Sequence, residues 1–210
     1  MVNEFKLEIL KAVYYDIDKA KECYNFVSEE QPTAQAEATT VRPQGIYLIY
    51  EDHAEPYTGS NDAKGVKYIG VAFQGKSFAV ALKDAGEEVV LLPESKKAAD
   101  RLRFPRECDA IYDYDSYENT TALCDDNPGL RDLLKEGEAI PALGILNIMA
   151  HYKDLLNEAL AYVGGEEIKA EWYWSSTEYS QNNAWSVYFI NRSTFNNKYY
   201  GFAVRAVAAF

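Results

Sequence analysis

Between residues 4 and 28 apolar side chains recur at Leu10, Val13, Ile17, Ala20, Tyr24 and Val27, alternately three and four positions apart. That spacing predicts an N-terminal helix over 1–28 with an a/d seam, able to pack on its own domain or to join copies of the chain into a homo-oligomer. "SEEQPTAQAEATTVRPQG" follows without apolar period, and 29–44 reads as a linker. From Gly45 the pattern switches to period two. "GIYLIYED" sets Ile46, Leu48 and Tyr50 on one face and Tyr47 and Ile49 on the other. "KYIGVAFQGKSFAVAL" predicts two strands about a "QGK" turn, and "EEVVLLPE" a further short strand.

"SKKAADRLRF" and "SYENTTALCDD" read as short helices joined by the acidic turn "DYD". From about 142 to 163 one longer helix is predicted, with Leu143, Leu146, Met149, Leu155, Leu156, Leu160 and Val163 as its inward stripe and Gly164–Gly165 as its stop. "EWYWSS", "AWSVYFI" and "GFAVRAVAAF" return to strand. Strands, then helices, then strands is the order of an α+β domain, expected over 45–210.

Charge narrows the partners. The chain of 210 residues carries a net charge of −12, which argues against nucleic acid and anionic membrane surfaces. Its apolar runs are too short or too charged to span a bilayer, and "MVNEFKLEIL" is not a signal peptide, so the protein either stays where it is made or has lost a leader. The acidity stops abruptly. Residues 172–210 hold one acid, Glu178, against Arg192, Lys198 and Arg205, together with all three tryptophans.

Catalytic signatures are scarce. There is no GxSxG, HExxH, P-loop or helix-opening GxGxxG, and no enzyme activity or cofactor is expected. Asp113, Asp115 and Glu118 in "DYDSYENT" lack the central Gly and terminal Glu of a calcium loop and read as an exposed, helix-capping turn. His53 and His151 have no nucleophile signature beside them. Cys23, Cys108 and Cys124 show no CxxC spacing; free thiols are the preferred reading, with a Cys108–Cys124 bridge left open, and no metal site is expected.

The tail has two kinds of position. Trp172, Trp174, Trp185, Val187, Phe189, Val204 and Val207 are spaced as buried framework. "NRSTFNNKYY" cannot be core, because unpaired buried amides cost too much, and its Tyr, Ser and Asn are the residue types of an antibody paratope. Alternation turns Trp185, Val187 and Phe189 inward and Ser186, Tyr188 and Ile190 outward. Ser186, Tyr188, Asn191, Arg192, Ser193, Asn196, Asn197 and Tyr199 are therefore expected on one exposed face.

"EWYWSSTEYSQNNAWSVYF", closing with "VRAVAAF", resembles the C-terminal part of the Lcl/DUF1566 and major-paralogous-domain families, and the variable proteins of diversity-generating retroelements. Those families have C-type-lectin-like folds, related to formylglycine-generating enzymes, and are common in gut Bacteroidetes and their phages. The resemblance covers about 45–210 and departs from the pattern at "AIPALGIL" and at the final "VAAF". It implies short antiparallel strands, two main helices and a variable region of about 172–204. Adenine mutagenesis of Asn codons yields Tyr, Ser, Asp, Gly, Ile and Arg. On that pattern the variable, ligand-binding positions are Asn182, Asn183, Ser186, Tyr188, Ile190, Asn191, Arg192, Ser193, Thr194, Asn196, Asn197, Tyr199, Tyr200 and Gly201.

The function implied is a non-enzymatic adhesin or phage receptor-binding protein for a protein or glycan receptor on a cell surface, in a phage virion or on a bacterial surface with its leader removed. Calcium-dependent sugar binding is not implied, since the Glu-Pro-Asn, Gln-Pro-Asp and Trp-Asn-Asp triplets are absent. Two rivals stand beside it. One is a structural assembly domain whose aromatic tail packs on a partner subunit. The other is a formylglycine-generating enzyme, which needs a C-terminal Cys pair; here the last cysteine is Cys124.

Overall fold

A computed structural model describes residues 42–190 and 192–210. The helical seam of 1–28, most of the 29–44 linker, and Asn191 lie outside the described residues. Two sheets carry the domain, which is α+β. The first joins β1 (Gly45–Ile49), β2 (Ala54–Pro56), β3 (Tyr68–Phe73), β4 (Lys76–Ala81), β6 (Glu138–Ala139) and β11 (Val207–Ala209) in the order β2-β1-β3-β4-β11-β6, antiparallel throughout. The second has β5 (Gly86–Val89), β7 (Trp172–Glu178), β8 (Asn183–Tyr188), β9 (Arg192–Asn197) and β10 (Phe202–Val204) in the order β5-β10-β7-β8-β9. Its β10–β7 pair is parallel, a departure from the all-antiparallel expectation. The β3–β4 hairpin turns on Gln74 and Gly75, both at positive φ (54° and 78°), as the twist of a two-residue turn requires.

Helices α1 (Glu107–Ala110), α2 (Ser116–Asp126), α3 (Leu143–His151) and α4 (Lys153–Tyr162) link the sheets. The single helix expected over 142–163 is broken at Tyr152, and the two halves have different jobs. Leu143 through Leu146, with Ile148 and Met149, are all buried, so α3 is apolar nearly all round and threads the core. In α4 only Leu156, Ala159 and Leu160 are buried, and Leu155, assigned to the inward stripe, is 48% exposed. The change from a helix buried nearly all round to one with a solvent face falls at the break. Tyr152 takes up the change, its ring edge-on to Phe73.

"SKKAADRLRF" is not a helix but an irregular strap. Its polar groups are committed elsewhere: Phe104 N–H donates to the Glu178 carbonyl (2.9 Å), Ala99 N–H to Asp126 (3.0 Å), and Arg101 bonds both Glu178 and Asp126. The acidic turn is also not what its composition implies. Asp113 is buried, taking hydrogen bonds from Thr177 Oγ1 and Asn119 Nδ2 (both 2.7 Å) and from Asp115 N–H (3.0 Å), while Asp115 and Glu118 stay exposed and Asp115 makes no side-chain cap. Thr177 Oγ1 in turn accepts from Leu143 N–H (2.8 Å), so the start of α3 is capped from β7. Gly144 sits so close that a Cβ there would lie 2.7 Å from the Asp113 carbonyl oxygen.

One core lies between the sheets and α3–α4, with Leu48, Ile69, Val80, Leu146, Tyr173, Trp185 and Phe189 among its members. A second lies on the far side of the five-stranded sheet, where Trp174, Ala184 and Val204 meet Leu91, Leu123 and Ile140. Cys124 is a buried free thiol in that second core, which excludes a Cys108–Cys124 bridge. Among the described residues no helix is long and apolar enough to cross a membrane.

Half-buried tyrosines give the domain an alkaline limit. Burial pushes the Tyr112 phenol up to about 12, and burial together with its hydrogen bond to Glu138 does the same for Tyr68. The folded state then holds these protons after the unfolded chain, at about 10, has released them. Their contribution is complete below about pH 10 and is lost between about 10 and 12. The melting temperature is expected to fall across that window as phenolate absorbance rises; a flat melting temperature from 9 to 12 would refute the coupling.

Candidate ligand-binding face

The β8–β9 register divides the tail between two faces. Ala184, Ser186 and Tyr188 lie opposite Asn196, Thr194 and Arg192; Asn183, Trp185 and Val187 lie opposite Asn197, Phe195 and Ser193. Side chains that share a register pair share a face. Ser193 and Asn197 thus stand on the opposite face from Tyr188 and Asn196, correcting the expectation of one shared surface. Ser193 is also engaged, donating from Oγ to Glu107 (2.7 Å).

The Tyr188 side of the sheet is covered at one end by the second core and open at the other. Across the open end runs a row of rings on neighbouring strands. Phe202 on β10 is 5.9 Å from Trp172 on β7, and Trp172 is 5.2 Å from Tyr188 on β8, whose register partner on β9 is Arg192. Tyr200 and Tyr199 extend the row past Phe202, at 6.3 Å and then 4.8 Å between centroids. Tyr199 (38%), Tyr200 (43%) and Ile190 (60%) are exposed. Trp172, Tyr188, Phe202, Thr194 and Asn196 are half-buried, and Arg192 is exposed. Trp172 therefore belongs to the face, not to the buried framework.

Ser186 was expected outward and is fully buried. Its hydroxyl accepts from Asn196 Nδ2 (2.9 Å) and donates to the Thr194 carbonyl (3.2 Å), so a small side chain is satisfied beneath Asn196 and forms the floor of the face. Asn183 is taken up by the β7–β8 turn, where its N–H donates to Ser180 Oγ (3.1 Å). Asn182 is exposed, and its carbonyl takes the Lys198 N–H (2.9 Å). Gly201 passes within close range of β5: a Cβ there would meet Glu88 Cβ at 3.2 Å.

Two tail residues escaped the sequence reading. Phe195 is 41% exposed and stacks on Tyr179 at 3.8 Å, on the face away from Tyr188. Lys198 is 1% exposed, its ammonium bonded to Glu178 and to the Gln181 carbonyl (3.0 Å). Burial pushes that ammonium below the ordinary lysine range; Glu178 offsets part of this, while Arg101 and Arg103 add to it. The signal was available: the tail's one acid and one of its three bases are partners.

Among the described residues no group of three or more His, Cys, Asp or Glu could hold a metal ion. His53 stacks on Tyr50, and His151 packs against Phe73 and Tyr152. Comparison with protein-family models finds no match for the chain, and comparison with curated proteins finds none.

Proposed function

We propose that the protein is a non-enzymatic ligand-binding module, and that the open end of the five-stranded sheet is its recognition face. One observation carries this: Phe202, Trp172 and Tyr188 form a continuous ring row over three strands, part-open to solvent, bordered by Arg192, Thr194, Asn196 and the exposed Tyr200. Rigid aromatic area beside short polar side chains gives large contact with little rotamer entropy to lose. An inward-packing tail would close such a row rather than leave it half-open.

In this reading the domain is C-type-lectin-like and of the retroelement-diversified kind, serving as an adhesin or phage receptor-binding head. Support comes from the division of labour within the tail: Trp174, Trp185, Val187 and Phe189 are buried, whereas Ile190, Arg192, Tyr199 and Tyr200 can change without disturbing a core. The test is sequencing of the locus across related isolates. Variation confined to face positions such as Tyr188, Arg192, Thr194, Asn196 and Tyr200, with a near-copy of the segment and a reverse transcriptase close by, is the expected result. Uniform sequences with neither element would overturn diversification.

A further inference from the structure

A second feature borders the face and brings in Asn182 and Asn197, candidate residues that the ring row leaves out. Asn182, Asn197 and Tyr199 line a cavity of about 230 Å³, whose far wall is the 92–97 loop with Glu94, Lys96 and Lys97. The loop is fixed in place: Leu92 N–H donates to the Lys198 carbonyl (3.1 Å), and Lys96 N–H closes a turn on Pro93 (2.9 Å). The opposite wall is closed by its own turn, Tyr200 N–H to the Asn197 carbonyl (3.0 Å). The cavity is therefore built from two hydrogen-bonded loops.

Its charge runs against that of the chain. In a protein of net charge −12, Lys96 and Lys97 form no ion pair among the described residues. Lys198 lines the cavity and leads into a layer where Arg101, Arg103 and Lys198 face two carboxylates, Glu178 and Asp126. Asp100 approaches Arg103 at 3.5 Å but is fully in solvent, where screening weakens it. A surplus of positive charge thus backs the cavity, and among its lining residues only Glu94 carries a charge opposite to that of Lys96 and Lys97. Such a concentration of one sign in a concavity favours an anion.

The remaining lining narrows the anion. The side-chain amides of Asn182 and Asn197 make no hydrogen bond among the described residues and offer both donors and acceptors, as hydroxyls require. Tyr199 supplies an aromatic wall at the end of the ring row. Ammonium groups, free amides and one ring in a space of about 230 Å³ match a single acidic sugar residue. We infer that this cavity binds a carboxylated sugar of the uronic-acid class, and so that the recognition face proposed above, on which this assignment rests, reads an acidic glycan.

The probe is glucuronic acid itself, titrated into the full chain by NMR or calorimetry beside glucose and a short Asp/Glu peptide. Glucuronate is expected to bind in the roughly millimolar range, about 10-fold or more tighter than glucose, and a Lys96→Ala/Lys97→Ala variant to weaken it by about 10-fold. Both lysines are exposed, so the variant keeps its fold. Glucuronate binding no tighter than glucose, or unchanged in the variant, overturns the assignment. An acidic peptide that binds as tightly with the same lysine dependence overturns the sugar in favour of an acidic protein partner. Failure here leaves the ring row to the locus-sequencing test, and uniform sequences at the locus leave a positive glucuronate titration standing.

Discussion

Replacing Arg205 by methionine is expected to destabilise the domain by about 3–5 kcal/mol, enough to remove a large part of the stability of an ordinary domain. The side chain has no exposure at all. Its Nε donates to Asp84 (2.6 Å), and its terminal nitrogens donate to the carbonyls of Ala81 (3.1 Å), Glu166 (2.9 Å) and Glu167 (3.4 Å). Asp84 also receives the Tyr173 hydroxyl (3.2 Å), so one guanidinium ties the end of β4, the segment before β7, and β7 itself. Methionine fills the space but leaves a buried carboxylate and three carbonyls without their donor. Arg205→Lys keeps the charge yet cannot supply the planar fork, and is expected to recover only part of the loss. Chemical denaturation measures both; a loss below about 1 kcal/mol for the methionine variant would show that the cluster is not a structural tie.

The second large effect concerns binding. Once a receptor is in hand, Trp172→Ala is expected to weaken its binding by about 30-fold or more, as buried aromatic anchors at the centre of an interface do. Trp172 touches both Phe202 and Tyr188, so its removal opens the middle of the row. Ser193→Ala is the matched control, because Ser193 belongs to the same hairpin and points to the opposite face. Surface plasmon resonance on both variants decides the matter: equal losses would mean that the hairpin, and not this face, makes the contact.

Period-two and period-3.6 patterns were enough to locate β1, the Gln74–Gly75 hairpin, α2 and the tail strands β7, β8, β10 and β11, whereas β9, inside a segment read only as exposed, was not among them. What patterns missed was decided by long-range polar partners. "SKKAADRLRF" has helical composition, yet Arg101 reaches Glu178, 77 positions away, and the backbone follows. Asp113 looks like a solvated turn residue until Thr177 and Asn119 are brought to it. Alternation alone could not know that a wall of the second core covers Ser186 while leaving Trp172 part-open. Local spacing determines which way a side chain points, but only the assembled sheet determines what lies there.

The unequal burial of the tryptophans has an optical consequence. Trp174 is 0% and Trp185 4% exposed, each with its indole N–H bonded to a backbone carbonyl, of Val89 (2.8 Å) and Phe104 (2.9 Å) respectively. Trp172 alone of the three is part-open. A water-soluble quencher therefore reaches one indole and not the other two, so the red, quenchable fraction of the emission reports on the ring row alone. The protein carries its own fluorescent probe at the centre of the surface whose occupancy is to be measured, and any ligand that settles on the ring row will shield it.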